Sequence, residues 1–432
     1  MAFQQGLSGL GTSSKALDVI GNNVANSSTV GFKSAQAHFS DVYANALGGA
    51  GASQVGIGAS VAAIQQQFTQ GNITTTNNPL DIAINGDGFF RMDTNGSITY
   101  TRNGQFHLDS DGYIINDQGA QLTGYGVDAN GAIVSANPAP VMLSASAIAP
   151  LATGASVGGT YQGVLADLNL DSSEAEPDDP WVPGAGSGLA SINASTYNYS
   201  TPVSVYDSLG NAHNLTLYFV KTANTGEWDI HANVDGTTDS RVTITGGPLQ
   251  FDTSGALDPA SADVGISIDL DGVMSDLGSV NSAAPTLAFN IDFTGSTQFG
   301  TDSVVNSLKQ DGYTAGSLTG VSVGANGVIR GNFSNGQSRN LGQVVLANFA
   351  NPNGLASLGN NQWAATSTSG EVVLGTPDSG SFGVLQALAI EESNVDLTSE
   401  LVAMITAQRN YQANAQTIKT QDQVMQTLVN LR

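Results

Sequence analysis

Residues able to do acid–base, nucleophilic or metal chemistry are sparse in this sequence and poorly spaced for it. The chain has no Cys, which removes thiolate nucleophiles, disulfides, Cys-ligated zinc and iron–sulfur clusters. His38, His107, His213 and His231 lie far apart, and none forms an HxH or HxxxH pair that would turn two imidazoles onto one metal. Asp109-Ser110-Asp111-Gly112 resembles the opening of a calcium loop. Its Gly stands at loop position four instead of six, and Ala120 occupies position twelve, where a carboxylate is needed. A polar turn is the simpler reading, and Asp269-Leu270-Asp271-Gly272 reads the same way. Gly184-Ala185-Gly186-Ser187-Gly188 is one residue out of step with a nucleophile elbow and sits in a Pro/Gly-rich stretch, so it reads as a flexible linker. Many Asp could pair as glycosidase carboxylates, but surplus acid on a solvated face explains them more simply. The expectation is a protein with no catalytic residue, no cofactor and no metal.

Composition points elsewhere. The 432 residues carry 12 Lys plus Arg against 36 Asp plus Glu, a formal net charge of −24. Such a balance opposes binding to nucleic acid or anionic membranes. Only 11% of residues are charged, and 52 are Gly. Asn, Ser, Thr and Gln supply the remaining polarity, a turn-rich and β-rich composition rather than a disordered one. The acid is concentrated: residues 146–308 hold 19 acidic residues against Lys221 and Arg241. That stretch is expected to be a separate, solvated body. Met1-Ala2-Phe3-Gln4-Gln5 lacks the basic and apolar regions of a signal peptide, and no stretch of 18 apolar residues exists to span a bilayer. These rules alone would place the chain in the cytoplasm.

The elements that must carry any function are helices at the two ends. Phe3, Leu7, Leu10, Ser14, Leu17, Gly21 and Val24 keep a 3-4 spacing, the seam of an amphipathic or coiled-coil helix. It is expected to end near Ala25-Asn26. Leu397, Leu401, Met404, Gln408, Tyr411, Ala415, Ile418, Asp422, Met425 and Val429 form a second stripe, preceded by capping candidates in Ser393-Asn394-Val395-Asp396. A helix over 397–430 would be about 51 Å long at 1.5 Å per residue, and needs an extended partner for its stripe. Between the ends the period becomes two. Asn85-Gly86, Asp87-Gly88, Asn95-Gly96, Asn103-Gly104, Asp111-Gly112 and Asn130-Gly131 suit positive φ and read as hairpin turns. Strands are expected at Val203–Tyr206, Asn214–Val220 and Gln343–Leu346.

The fold class is thus multidomain α+β, with N- and C-terminal helices in a coiled-coil-like layer and nested β-rich domains between them. The expected layout is a terminal helical domain (1–32 plus 390–432), a connecting segment (33–70 plus 384–389), a β-rich middle domain (71–145 plus 310–383) and an inserted acidic β-rich outer domain (146–309). Insertion is tolerated where entry and exit points lie close together.

Specific motifs sharpen this. Leu17-Asp18-Val19-Ile20-Gly21-Asn22-Asn23-Val24-Ala25-Asn26 followed by Thr29-Val30-Gly31-Phe32-Lys33 resembles the N-terminal signature of the bacterial flagellar rod and hook family. Asn394-Val395-Asp396-Leu397, Leu401-Val402-Ala403-Met404-Ile405 and Gln408-Arg409-Asn410-Tyr411-Gln412 are similar to its C-terminal signature. Pro79–Phe90 and Tyr100–Phe106 resemble its shared β domain. The match covers about the first 145 and last 120 residues.

The resemblance implies a structural subunit with no enzymatic activity. It would be exported without a cleaved signal peptide through the flagellar type III apparatus and assembled outside the cell. Its partners would be copies of itself, the hook cap protein, the distal rod and the hook–filament junction proteins. The long insert points to the curved, torque-transmitting hook rather than to the distal rod, whose subunits are shorter. A secreted β-rich adhesin that stacks sugars on Trp181 or Trp228 is the alternative from another class. The polymerisation surface is expected on Phe3, Leu7, Leu10, Leu17, Ile20, Val24, Leu397, Leu401, Met404, Tyr411, Ile418, Met425 and Val429. Asn22, Asn23, Asn26, Gly31 and Phe32 are expected at the joint between helices and β domains, where helix capping would equally explain the three Asn.

Overall fold

The computed structural model describes residues 2–42, 56–128, 131–143, 147–156, 162–182 and 192–430. Residues 184–188 and Asn130, both read above as loop or turn, lie outside the described residues. The chain begins with α1 (Ala2–Ala25) and ends with a long helix, α3 (Leu397–Asn430); a short helix, α2 (Leu270–Asp276), lies in the middle, and the rest is almost wholly strand and turn. This is the expected class, helical ends around a β-rich interior. No described helix is long and apolar enough to cross a membrane.

The chain divides into two compact units, residues 1–145 with 320–332 and 338–432, and residues 146–319 with 333–337. In the first, α1 leads into an antiparallel ribbon of β1 (Ala35–Val42) and β2 (Gly58–Gln66), with Ala35 opposite Gln66 and Val42 opposite Gly58. The large sheet beyond it interleaves the two halves of the chain. Ser338–Val344 pairs with Gln121–Val127, which pairs with Phe89–Thr94; then follow Ser97–Thr101, Gln362–Ala364 and Ala356–Gly359. Ile82, Ile84, Phe90, Met92, Leu122 and Leu346 are fully buried in its core. A second cluster sets Phe89, Phe349 and Trp363 edge to face, with Phe68 packed on Phe89 and Trp363. Each such side chain contributes about 1.5–3 kcal/mol by burial.

The second unit has two sheets over one core. One holds Val242–Thr245, Asp263–Asp269, Thr286–Asp292 and Val164–Asp171; the other holds Tyr199–Tyr206, Ala212–Lys221, Glu227–Val234 and Leu249–Gln250. Along Ala212–Lys221 the alternation is strict, with His213, Leu215, Leu217 and Phe219 inward. Leu215, Leu217 and Phe219 share a core with Leu168, Val205, Trp228, Ile266, Ile291 and Phe293.

Several expectations change. Asn95-Gly96, with φ of 53° and 87°, does close the hairpin between Phe89–Thr94 and Ser97–Thr101. Asn85-Gly86 and Asp87-Gly88 do not close one, because Ile82–Asn85 pairs with Val384–Ala387 rather than with the strand that follows it. Asn103-Gly104 is not a hairpin either; Gly104 lacks positive φ, and a Cβ there would collide with the carbonyl of Ile82. The run Gln343–Leu346 is split, since Gln343 pairs with Tyr125 and Leu346 with Phe90. Asp269 is an N-cap of α2, accepting from the Gly272 N–H at 3.1 Å, rather than part of a turn. Asp109 does organise a turn, its Oδ1 accepting from Asp111 and Tyr113 N–H groups.

Candidate assembly surface and the joint beneath it

The two terminal helices pack antiparallel. A Cβ on Gly6 would sit 3.0 Å from Ile418 Cγ1, and one on Gly9 would sit 2.7–2.8 Å from the Asn414 amide. These glycines let the two backbones approach closely. At the far end Asn23 donates to Glu400 Oε1 at 2.9 Å. This register places the first residues of α1 opposite the stretch of α3 just before Gln423, so Gln423–Asn430 runs on past α1 for about two turns.

The side of α3 turned to α1 carries Glu400, Met404, Ala407, Asn414 and Ile418. That row is offset by one residue from half of the apolar stripe read in the sequence. Met404 and Ile418 are half-buried, whereas Leu397, Leu401, Tyr411, Met425 and Val429 stay exposed, with Val402, Ile405 and Val424 beside them. On α1, Phe3 and Leu7 are exposed, and Leu10, Leu17, Ile20 and Val24 are half-buried. The helix pair therefore leaves a long apolar face uncovered within one chain, far from the isolated exposed apolar residues usual on a monomer.

Both helices are rooted in one joint. Asn23 is buried; its Nδ2 also donates to the Ala35 carbonyl at 2.8 Å, and its Oδ1 accepts from the Ala35 N–H at 2.9 Å. One side chain thus ties the end of α1 to the start of β1 and to α3. Asn26 caps the C-terminus of α1, donating to the Asn22 carbonyl and accepting from Thr29 Oγ1. Asn22 is exposed, Asn26 half-buried. Gly31 is buried at φ 70°, with the backbone of Arg102 and Asn103 where a Cβ would stand. Phe32 is half-buried. Asn394, just before α3, accepts from the Ser34 N–H at 2.7 Å and donates to the Gln67 carbonyl at 2.7 Å.

Beneath these residues lies a buried charge cluster that motif spacing did not single out as a unit. Lys33 Nζ donates to Glu391 Oε1 at 2.6 Å and to the Thr69 carbonyl at 2.7 Å. Arg102 Nη1 reaches Glu391 Oε2 at 3.3 Å, and its Nη2 donates to the Gly86 carbonyl at 2.9 Å. Glu391 Oε1 also accepts from the Gly71 N–H at 2.8 Å. The side chains of Lys33 and Glu391 are wholly buried and that of Arg102 nearly so. Burial lowers the Lys33 amine from its ordinary value, and the attraction of Glu391 offsets this only in part. Burial likewise lowers Arg102. A charged residue in the apolar run around Ile390 was the available signal for Glu391.

In the other unit, distance in sequence hid a second cluster. His213 Nδ1 lies 2.7 Å from Asp235 Oδ2, and its Nε2 lies 3.5 Å from Asp207 Oδ2, an ion-pair distance rather than a hydrogen bond. The Asp235 hydrogen bond raises the His213 pKa against the opposing effect of burial. Asp207 is buried, which pushes its pKa up. Hydrogen bonds from Asn211, Asn281 and the Leu209 N–H outweigh that and hold it at about 2. Trp228 is fully buried, which removes it as a sugar platform. Trp181 stacks on His231 at 4.3 Å and donates to Asp239, so it pins its own loop. Among the described residues no group of three or more His, Asp or Glu is placed to hold a metal ion.

Four family models match along the chain. They are described as flagella basal body rod protein over residues 3–33, flagellar hook protein FlgE/F/G D1 domain over 83–159, flagellar basal body protein FlaE D2 domain over 169–313, and flagellar basal body rod FlgEFG protein C-terminal over 386–431. The flagellar hook protein FlgE of Escherichia coli K12 is 42% identical, with all of both chains covered. The chain belongs to the flagellar hook protein family. Within that family, the hook protein FlgE of Salmonella typhimurium is also 42% identical over all of both chains, and that of Borreliella burgdorferi is 32% identical over all of this chain and 99% of its own. The family's two terminal models fall on α1 and α3.

Proposed function

We infer that the chain is a structural subunit of the flagellar hook and that it polymerises with copies of itself through α1 and α3. The observation that carries the first statement is 42% identity to curated hook proteins along the full length of both chains. The second is supported by the apolar face that the helix pair leaves exposed. Burying it between copies supplies the association energy that a single chain lacks.

On this reading residues 1–32 and 390–432 form the inner tube. Residues 33–70 and 384–389 connect it outward, residues 71–145 and 310–383 form the middle domain, and 146–309 the outer domain. The role is mechanical rather than enzymatic: a curved, flexible joint passing torque to the filament. A sparsely charged, Asn- and Gly-rich exterior supports sliding between neighbours, because few ion pairs would lock them. The subunit works outside the cell, reaching it without a cleaved signal peptide through the type III apparatus. There it meets the cap, the distal rod and the junction proteins. The test is polymerisation of the purified full chain, seeded or salted out, beside a variant lacking residues 398–432. Curved tubes from the first and a folded monomer from the second are expected; normal tubes from the truncated chain would refute the helix-mediated reading.

A further inference from the structure

The helix pair carries two unlike apolar features at its two ends. At one end α3 overhangs α1, and Val424, Met425 and Val429 are 48%, 61% and 71% exposed. No residue from Gln423 to Asn430 is charged, and α1 cannot cover them in this register. At the other end, beside the joint, lies a groove of about 380 Å³. It is lined by Val19 and Ile20 of α1, Ala37 and Phe39 of β1, and Ala403 of α3, among others. The one charged side chain lining it, Glu400, accepts a hydrogen bond from Asn23. Phe39 is itself 45% exposed at the groove.

We propose that the overhang of one copy seats in the groove of the next. This rests on the reading of the chain as a self-polymerising hook subunit. Three observations favour a second copy as the occupant. Residues Gln423–Asn430 of the overhang are uncharged, and the groove sets Val19, Ile20, Ala37, Phe39 and Ala403 among polar side chains, with Glu400 hydrogen-bonded to Asn23, so apolar side chains on both partners can be buried while Glu400 keeps a partner. The groove's lining on α3, Ser399, Glu400 and Ala403, brackets the exposed Leu401 and Val402 in sequence, so the seat adjoins the apolar face proposed for assembly. The two features also lie at opposite ends of one rod. A contact between unlike patches does not close on itself as a symmetric dimer does; it propagates, giving an open helical polymer. Groove and overhang are separated by about 25 residues of α3, so successive copies would be displaced by about 38 Å along the helix at 1.5 Å per residue.

The absence of native Cys makes the test clean. Two full-length variants, Ala403→Cys and Val429→Cys, are mixed as monomers, polymerised together and then oxidised, beside polymers of each variant alone. The mixed polymer is expected to give a cross-linked dimer joining residues 403 and 429, identified by peptide mass spectrometry. Each variant alone, and the unpolymerised mixture, are expected to stay uncross-linked. Polymers that form without the 403–429 product, or that give 403–403 or 429–429 dimers instead, overturn the tip-in-groove contact while leaving the hook reading intact. Failure of the unmodified chain to polymerise overturns the helix-mediated reading and this contact with it. Ala403→Trp provides a second arm by filling the groove. It should leave the melting temperature unchanged and reduce polymer yield at least tenfold. Undiminished polymerisation by a folded Ala403→Trp chain also overturns the proposal.

Discussion

Glu391→Ala removes the carboxylate that pairs with two buried cations. The variant loses the 2.6 Å bond from Lys33, the 3.3 Å contact with Arg102 and the 2.8 Å bond from the Gly71 N–H. Water cannot replace them readily, because the side chains of Lys33 and Arg102 are 0% and 4% exposed. Removing one partner of a buried ion pair costs about 3–5 kcal/mol, much of it from the charge left behind. For a unit of roughly 150–250 residues that corresponds to a fall in melting temperature of about 6–20 °C. The loss should shrink as pH rises. Burial already holds the Lys33 amine below its ordinary value, and without Glu391 less opposes that. The unfolded chain then binds more protons than the folded one below the ordinary Lys pKa, so stability climbs with pH. Calorimetry of the full chain measures the midpoint, and hydrogen exchange on peptides spanning 31–35 and 386–394 locates the loss. A companion with Lys33→Met, Arg102→Met and Glu391→Leu should recover most of it, since apolar replacement of a whole buried ion cluster is near neutral. A Glu391→Ala chain that melts within about 1 kcal/mol of the parent would refute the view that this cluster secures the helix roots.

Other substitutions test separate parts of the account. Gly31→Ala places a Cβ at positive φ against the backbone of Asn103. It should cost at least about 1–3 kcal/mol in urea unfolding, whereas Gly21→Ala, with open space around it in mid-helix, should gain about 0.5–1 kcal/mol. The raised pKa of His213 means that its stabilisation is full below the ordinary His value of 6.5 and is lost as pH rises through the folded value. The melting of the second unit should therefore fall across that window, and His213→Asn should flatten the dependence. Asp207 works in the opposite sense: its contribution holds above the ordinary Asp value and is lost as pH falls through about 2. Deleting residues 423–432 removes the overhang, where Val424, Met425 and Val429 are exposed, so monomer melting should stay within about 0.5 kcal/mol of the parent, while pelleting assays should show no polymer.

The two helices were legible because a 3-4 spacing, interrupted only at Ser14, Gly21, Gln408 and Asp422, can be traced along nearly all of their 24 and 34 residues. The concentration of acid in residues 146–308 likewise marked a stretch of distinct character. The partner side of α3 was less legible. Sequence favours the apolar row through Leu397 and Leu401, but glycines at positions 6 and 9 admit Asn414 and Ile418 to the contact, with Glu400 held by Asn23. The most apolar row was thus left outside. The joint was hidden for another reason: Lys33, Arg102 and Glu391 are brought together by sheet pairing across hundreds of residues, which no local period records. His213, Asp207 and Asp235 illustrate the same limit. Turn pairs misled for two reasons: Gly104 serves close backbone approach without positive φ, while Gly86 and Gly88 have positive φ but follow a strand that pairs with Val384–Ala387.

The most direct test of the central claim is electron microscopy of the purified full chain after seeding, beside a chain in which Leu401, Val402 and Ile405 are changed to Ser. These side chains are exposed in the single chain, so the variant should fold and melt like the parent. Curved tubes are expected from the parent and dispersed monomers from the variant. Tubes of normal yield and curvature from the variant would contradict assembly through the exposed face of α3.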